Sequence, residues 1–243
     1  MIKQLFQVGA FALLCQPAFA SQSPWVESEG GAMRLIITAE GKTQPRGVLE
    51  IKLNPGWKTY WRDPGDGGIP PSLSGDGMVV DLQFPAPERF SENDQVFSGY
   101  HTSVSLPFIL PETLIPVDKV TAFIGVCSEI CVPFQAEFPL VRDGADADLI
   151  DAAFAALPKA VSADEGILAE TRTGEFLSLK IAGDTANSTL FLAPERGLYL
   201  GVPEANAGGF TVKVIKEKTP GVKVDYTLKT AGSAISGQFE MPK

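Results

Sequence analysis

The chain has 243 residues, with 20 Lys or Arg against 29 Asp or Glu, a net charge of −9 and a pI near 4.7. Such an acidic chain, with no Lys/Arg cluster, excludes nucleic acid as the expected partner. Its 44% hydrophobic content is enough for a substantial core, in one large domain or two small ones.

In chain order, the first element is a leader. Met1-Ile2-Lys3 is a basic start, an apolar run follows through Phe11 to Leu14, and Ala18-Phe19-Ala20 is a small-residue cleavage site. This pattern predicts an exported, periplasmic protein cut after Ala20, with a mature chain from Ser21. A membrane anchor would need about 20 apolar residues, and Gln4, Gln7, Gln16 and Pro17 interrupt the run. Lipid attachment at Cys15 is disfavoured because Leu14 stands where a small residue is required. No later stretch is apolar enough over the needed length to span a membrane.

Short runs of β-formers bounded by Gly, Pro and Lys come next: Met33 to Thr38, Gly47 to Leu53, Val79 to Phe84, Ser103 to Ile109, Val120 to Val126 and Gln135 to Val141. Asn54-Pro55-Gly56 marks a turn. The pattern predicts an all-β protein, with an antiparallel sandwich of immunoglobulin type over residues 21–143. From Ala145 to Ala163 the chain is alanine-rich, with Leu149, Ala153 and Leu157 on one face, and reads as a helical connector limited by Pro158. The boundary is set at residues 144–164. Phe176 to Ile181, Ser188 to Leu192, Phe210 to Ile215, Val222 to Leu228 and Ser236 to Glu240 then predict a second, smaller β-sandwich over residues 165–243.

The chemistry concentrates at Cys127 and Cys131, the two cysteines left once the leader is removed. Residues four apart can reach disulfide geometry in a turn or one helical turn. Spacing alone leaves two readings open, a structural staple and a reactive pair. A bridge closing so small a ring constrains the unfolded chain less than a long-range one. Zinc would need three or four N/S ligands, and only His101 adds to the two sulfurs. Copper(I) could take two thiolates, but Met33, Met78 and Met241 are scattered. Glu129 lies between the cysteines, and no Lys, Arg or His falls between Lys119 and Arg142. A neighbouring carboxylate disfavours thiolate, so the expected pair is one whose activation comes from a partner, with Glu129 tuning it.

Trp57, Tyr60 and Trp61 beside a Gly/Pro loop fit either a sugar-stacking platform or loop packing, the second being the commoner use. Asp63, Asp66 and Asp76 lack the spacing of a calcium loop. No G-x-S-x-G, H-E-x-x-H or phosphate-loop motif is present.

Trp57-Lys-Thr-Tyr-Trp-Arg-Asp-Pro-Gly-Asp-Gly-Gly-Ile-Pro-Pro71, Phe84-Pro-Ala-Pro87, Phe97-Ser-Gly-Tyr100 and Cys127-Ser-Glu-Ile-Cys-Val-Pro133 occur in that order. The series resembles the N-terminal periplasmic domain of the DsbD family, and its ScsB-type relatives more closely, over about residues 34 to 142. Residues 165 to 243 resemble the second immunoglobulin-like segment of the ScsB type more loosely. The resemblance implies a thiol–disulfide module that takes electrons from a membrane transporter of DsbD/CcdA type and passes them to thioredoxin-fold periplasmic proteins, with no cofactor. It implies Cys127 and Cys131 as the redox pair and Ser91 to His101 as a cap, with Phe97 as the shielding aromatic and Val96 and Tyr100 beside it. Gly99 would permit a backbone hinge in that cap. The membrane and thioredoxin domains of the full-length family are not found in this sequence, so separate proteins would complete the cycle. The competing reading is a protein- or copper-binding module with a structural disulfide.

Overall fold

A computed structural model describes residues 22–38, 44–65, 67–92, 94–114, 118–140, 146–183, 185 and 187–242. The leader reading of residues 1–20 lies outside them. Strands of the first region are β1 Val26–Ser28, β2 Gly31–Thr38, β3 Arg46–Leu53, β4 Thr59–Gly65, β5 Ser72–Gly75, β6 Met78–Val80, β7 Glu88–Glu92, β8 Gln95–Tyr100, β9 Val104–Ile109, β10 Lys119–Cys127 and β11 Cys131–Pro139. One helix follows, α1 Ala147–Ala155. The remaining strands are β12 Lys159–Ala160, β13 Ile167–Thr173, β14 Phe176–Ile181, β15 Thr189–Pro194, β16 Leu198–Leu200, β17 Glu204–Asn206, β18 Gly209–Glu217, β19 Lys223–Lys229 and β20 Ala234–Glu240. The protein is all-β, in immunoglobulin-like sandwich form, as its strand pattern predicts.

Two four-stranded sheets, β1-β2-β3-β9 and β11-β10-β5-β6, face each other across the first core. Alternation drives this packing, because successive side chains of a strand point to opposite faces. In β11 the inward positions are Phe134, Ala136 and Phe138, with exposed residues between them. Met33, Leu35 and Ile37 of β2, Leu49 and Ile51 of β3, and Leu106 and Phe108 of β9 meet them from the other side. A smaller sheet, β4-β8-β7, lies at one end. Trp61 of β4 enters the main core, while Tyr60 points the other way.

The second region has its own core between sheets β12-β20-β19-β15 and β13-β14-β18-β16, with β17 on β18. Leu177, Leu179 and Ile181 alternate inward along β14. Among the described residues no strand ladder joins the two regions. They abut through side chains. Phe191 of β15 stands edge-on to Trp61 at 5.9 Å, and Arg89 donates to the Leu190 carbonyl at 2.6 Å.

The helix is shorter than the reading of 145–163, and its buried face keeps Ala153 but takes Ile150 in place of Leu149. Ile150 and Ala153 are buried against Ile36 and Val48, whereas Leu149 is 42% exposed. Arg46 fixes this register by pairing with Asp151 at 2.6 Å and lying over the Phe154 ring at 4.1 Å. The residue before a proline is pushed out of helical geometry, which ends the run ahead of Pro158, and residues 159–160 then pair with β20. Strands β1, β4, β5, β7, β8, β12, β13, β16 and β17 were not legible as runs of β-formers. Arg62-Asp63-Pro64-Gly65 in β4 has the composition of a turn.

Candidate functional site at the tip of a hairpin

Strands β10 and β11 pair in register from Lys119↔Pro139 to Cys127↔Cys131, so the two cysteines form the last rung before the Ser128–Ile130 turn. Their sulfurs are bonded at 2.09 Å, with Cα atoms 4.1 Å apart. Ser128 N–H donates to the Ile130 carbonyl across the turn at 3.1 Å. The two sulfurs are not equivalent. Cys127 is 1% exposed and belongs to a buried cluster with Tyr60 and Phe97, whereas Cys131 is exposed. Glu129 and Ile130 are exposed in the turn, Ile130 at 68%.

The segment before β4 bonds to the pair's own strand. Lys58 and Cys127 exchange both backbone hydrogen bonds at 2.9 Å, and the Thr59 hydroxyl donates to the Gly125 carbonyl at 2.8 Å. This lock delivers the Tyr60 hydroxyl to the disulfide, donating to Cys127 Sγ at 3.0 Å, with Cys131 Sγ 3.3 Å away. Burial, and secondarily the Glu92 carboxylate, push the Tyr60 phenol above its ordinary value. It therefore stays protonated as a donor through the neutral range. Gly68, at φ +114°, makes room for this ring, since a Cβ there would stand 2.6 Å from it. Trp57 is partly buried against the main core, and Tyr60 and Trp61 are buried, so these aromatics are packing groups rather than an open stacking platform.

Sequence reasoning missed Lys58 and the contact of Tyr60 with the sulfurs. The Lys58 side chain is buried, with Nζ paired to Glu92 and 3.4 Å from the Ser128 carbonyl oxygen. Residues 120–141 hold no cation, but the fold supplies one from 69 residues upstream of Cys127 through the Lys58↔Cys127 bridge. The expectation of a pair without a basic neighbour is corrected accordingly. A β-bridge between distant strands leaves no spacing signature in the chain.

The segment Ser91 to His101 belongs to the β7–β8 hairpin, turning through Asp94 at φ +63°. Asn93 lies outside the described residues. Phe90 of β7 stacks on Phe97 of β8 at 5.7 Å, Phe97 meets Tyr60 at 6.0 Å, and His101 lies 4.4 Å from Phe90. Val96 is half-buried and faces a cleft with Arg62, Arg89 and Leu192, away from the sulfurs. Tyr100 is in the main core, its hydroxyl donating to the Pro85 carbonyl at 2.8 Å. Gly99, read as a hinge, is paired within β8 to strands on both sides, and a Cβ there would stand 2.1 Å from the Thr59 carbonyl oxygen. Among the described residues no three or more His, Cys, Asp or Glu side chains converge as a metal site. No helix among them is long and apolar enough to cross a membrane.

The first region is thus an immunoglobulin-like sandwich carrying a cross-strand disulfide at one end, beneath an aromatic hairpin. Residues 32–142 match the family model of the thiol:disulfide interchange protein DsbD, N-terminal. The crystal structure of the N-terminal periplasmic domain of ScsB from Proteus mirabilis superposes with a TM-score of 0.76 at 21% identity, covering 92% of this chain and 99% of that one. The match to ScsB covers both regions, and at this identity it speaks to fold. No curated protein matches the chain. The chain resembles the DsbD N-terminal domain and its ScsB relatives, as its ordered motifs imply.

Proposed function

We propose that the protein is a periplasmic thiol–disulfide exchange module, exported by a leader cleaved after Ala20, that relays electrons to or from a thioredoxin-fold partner through Cys127 and Cys131. A membrane electron transporter of DsbD/CcdA type is the second partner. The working domain is residues 21–143, joined through 144–164 to a second β domain at 165–243. The observation that carries this reading is the asymmetry of the pair, with one sulfur exposed at a hairpin tip and the other buried under a tyrosine hydroxyl. A structural staple needs neither feature.

The step follows from that asymmetry. A partner thiolate attacks Cys131 Sγ along the S–S axis. The partner–Cys131 bond forms, the Cys127–Cys131 bond breaks, and the electron pair leaves on Cys127 Sγ. Tyr60 O–H donates to that sulfur as its charge develops, which favours the thiolate. A second thiolate of the partner then attacks its own sulfur in the mixed disulfide and expels Cys131 as thiolate. The chain ends as a dithiol and the partner as a disulfide; the reverse sequence carries electrons the other way. Exposed Ile130 beside Cys131 gives a docking partner an apolar contact.

The test is mixed-disulfide trapping in cells. Cys127→Ser leaves the exposed sulfur without its resolving partner and should accumulate a covalent adduct with a thioredoxin-fold protein. Cys131→Ser should trap far less. Failure of both variants to trap any such protein, or a reduction potential of the pair below about −300 mV, the range of structural bridges, sinks the exchange reading.

A further inference from the structure

Burying an ammonium group is costly unless it is paired and hydrogen-bonded, and an apolar residue of similar size would usually serve a fold as well. Lys58 is nonetheless 4% exposed, at the end of a sandwich whose cores are otherwise apolar. Three groups surround its Nζ: the Glu92 carboxylate, the Ser128 carbonyl, and the Phe90 ring with its centroid 5.7 Å away. Ser128 directly follows Cys127. Glu92 and Phe90 lie on β7, whose pairing among the described strands is with β8. The β8 ladder to β4 is itself irregular between Tyr60 and Gly65. Lys58, in contrast, is tied to Cys127 by two backbone hydrogen bonds. The ammonium therefore belongs to the disulfide's own framework, and its counter-ion belongs to the covering hairpin.

We propose that Lys58 is a positioning cation for the exchange step: its ion pair with Glu92 latches the β7–β8 hairpin over the disulfide, and when the hairpin lifts the freed ammonium stabilises the departing Cys127 thiolate. The proposal rests on the exchange reading above and adds a coupling to it. While the hairpin is closed, Glu92 neutralises Lys58 and Phe97 packs with Cys127, so the leaving sulfur is covered and its cation is occupied, with only Cys131 exposed to attack. Lifting the hairpin removes cover and counter-ion together. A thiolate beside an unpaired cation is a better leaving group, because exchange speeds up as the leaving thiol's pKa falls. The electron balance is unchanged: the attacking thiolate forms one S–S bond, one S–S bond breaks, and the negative charge moves to Cys127 Sγ, where Lys58 now meets it. Opening and activation become one event, so a small periplasmic thiol meets a dormant pair and a partner that displaces the hairpin meets a responsive one.

The experiment measures the rate at which a small thiol such as glutathione reduces the disulfide of the full mature chain, with folding followed by circular dichroism. Glu92→Gln keeps the shape of a half-exposed side chain while releasing the latch. It should speed reduction about tenfold, the scale of one hydrogen bond to a charged group. Adding Lys58→Met to Glu92→Gln should remove most of that gain, whereas Lys58→Arg with Glu92→Gln should keep it. In the reduced proteins the thiol pKa should be higher in Lys58→Met than in Lys58→Arg, a shift that a merely structural lysine would not produce. Equal rates for Glu92→Gln and wild type overturn the latch, and equal rates for Glu92→Gln with and without Lys58→Met overturn the cation. Should the lysine variants fail to fold, Glu92→Gln alone still decides the latch. A disulfide that no variant allows to be reduced with its fold intact removes the exchange reading itself, a separate outcome from either failure.

Discussion

In the second region the buried core from Ile167 to Met241 is aliphatic and aromatic, and the buried polar groups of side chains among the described residues there are the hydroxyls of Thr185, Thr227 and Tyr226, none of them charged. The first region builds its main core by the same alternation, yet at one end it also buries Lys58, Thr59 and a tyrosine hydroxyl bonded to sulfur. Both are β-sandwiches, so the fold does not require the difference. Hydroxyls cost little to bury when they reach a backbone carbonyl, as Thr59 does, but an ammonium needs a carboxylate brought to it. The buried charge thus marks the end of the molecule where packing departs from a core without charge, and it coincides with the disulfide.

The strongest way to break this comparison is to empty each core in turn. Phe108→Ala in the first region and Phe210→Ala in the second should each cost about 3–5 kcal/mol in denaturant unfolding, as large-to-small core substitutions do. If residues 165–243 fold as a separate domain, Phe210→Ala should leave the small-thiol reduction rate of the disulfide near wild type, whereas Phe108→Ala should raise it. Equal acceleration by both would merge the two regions into one cooperative unit.

Phe97→Ala acts on the covered end alone. It removes the ring that links Phe90 to Tyr60 and should speed reduction by about tenfold, the upper scale of an aromatic pair, without shifting the main-core unfolding midpoint beyond what its own burial explains. An unchanged rate would mean the hairpin does not shield the sulfurs.

Alkaline pH compares the regions through their tyrosines. Burial raises the phenols of Tyr60, Tyr100 and Tyr226 above the ordinary value of about 10, with Glu92 adding to the rise at Tyr60 and Arg62 partly offsetting it at Tyr100. At Tyr226 the hydrogen bond from Ile167 N–H partly offsets the rise, and Glu170 adds to it. Raised folded-state values mean that these groups cost no stability below the unfolded value and lose stability as pH climbs from it through the folded values. Unfolding free energy should fall above about pH 10. Tyr60→Phe should relieve part of the loss in the first region, and Tyr226→Phe part in the second. Absorbance of native tyrosinate against pH, read beside the denaturation midpoints, checks this.

The smallest effect belongs to the contact between regions. Arg62 and Asp225 pair at 3.0 Å with both side chains about a third or more exposed. Asp225→Asn should change stability by roughly 0.2–1 kcal/mol, the range of exposed pairs. A larger loss, measured in urea, would show that the interface holds the regions together more firmly than its exposed charges imply.

Strand positions in both regions followed from short runs of β-formers bounded by turn residues, a local signal: Phe176 to Ile181 was legible to the residue, and Val120 to Val126 to within one residue at each end. The cysteine pair was legible because its partners are four residues apart. Strand β4 was not, since Arg62-Asp63-Pro64-Gly65 has the composition of a turn and, of these four, Gly65 alone pairs with β8, across an irregular stretch of the ladder. The helix face was misread because Leu149 and Ile150 are equally apolar, and only the sheet beneath, with Arg46 reaching Asp151 and Phe154, selects between them. What the chain alone determined is the all-β class, the pair, and the ordered motifs around it. What tertiary structure decided is the environment of that pair: which sulfur is buried, which hydroxyl donates to it, and which cation stands by. Those depend on a single rung between Lys58 and Cys127, and electrostatics acts through space, where distance along the chain has no bearing.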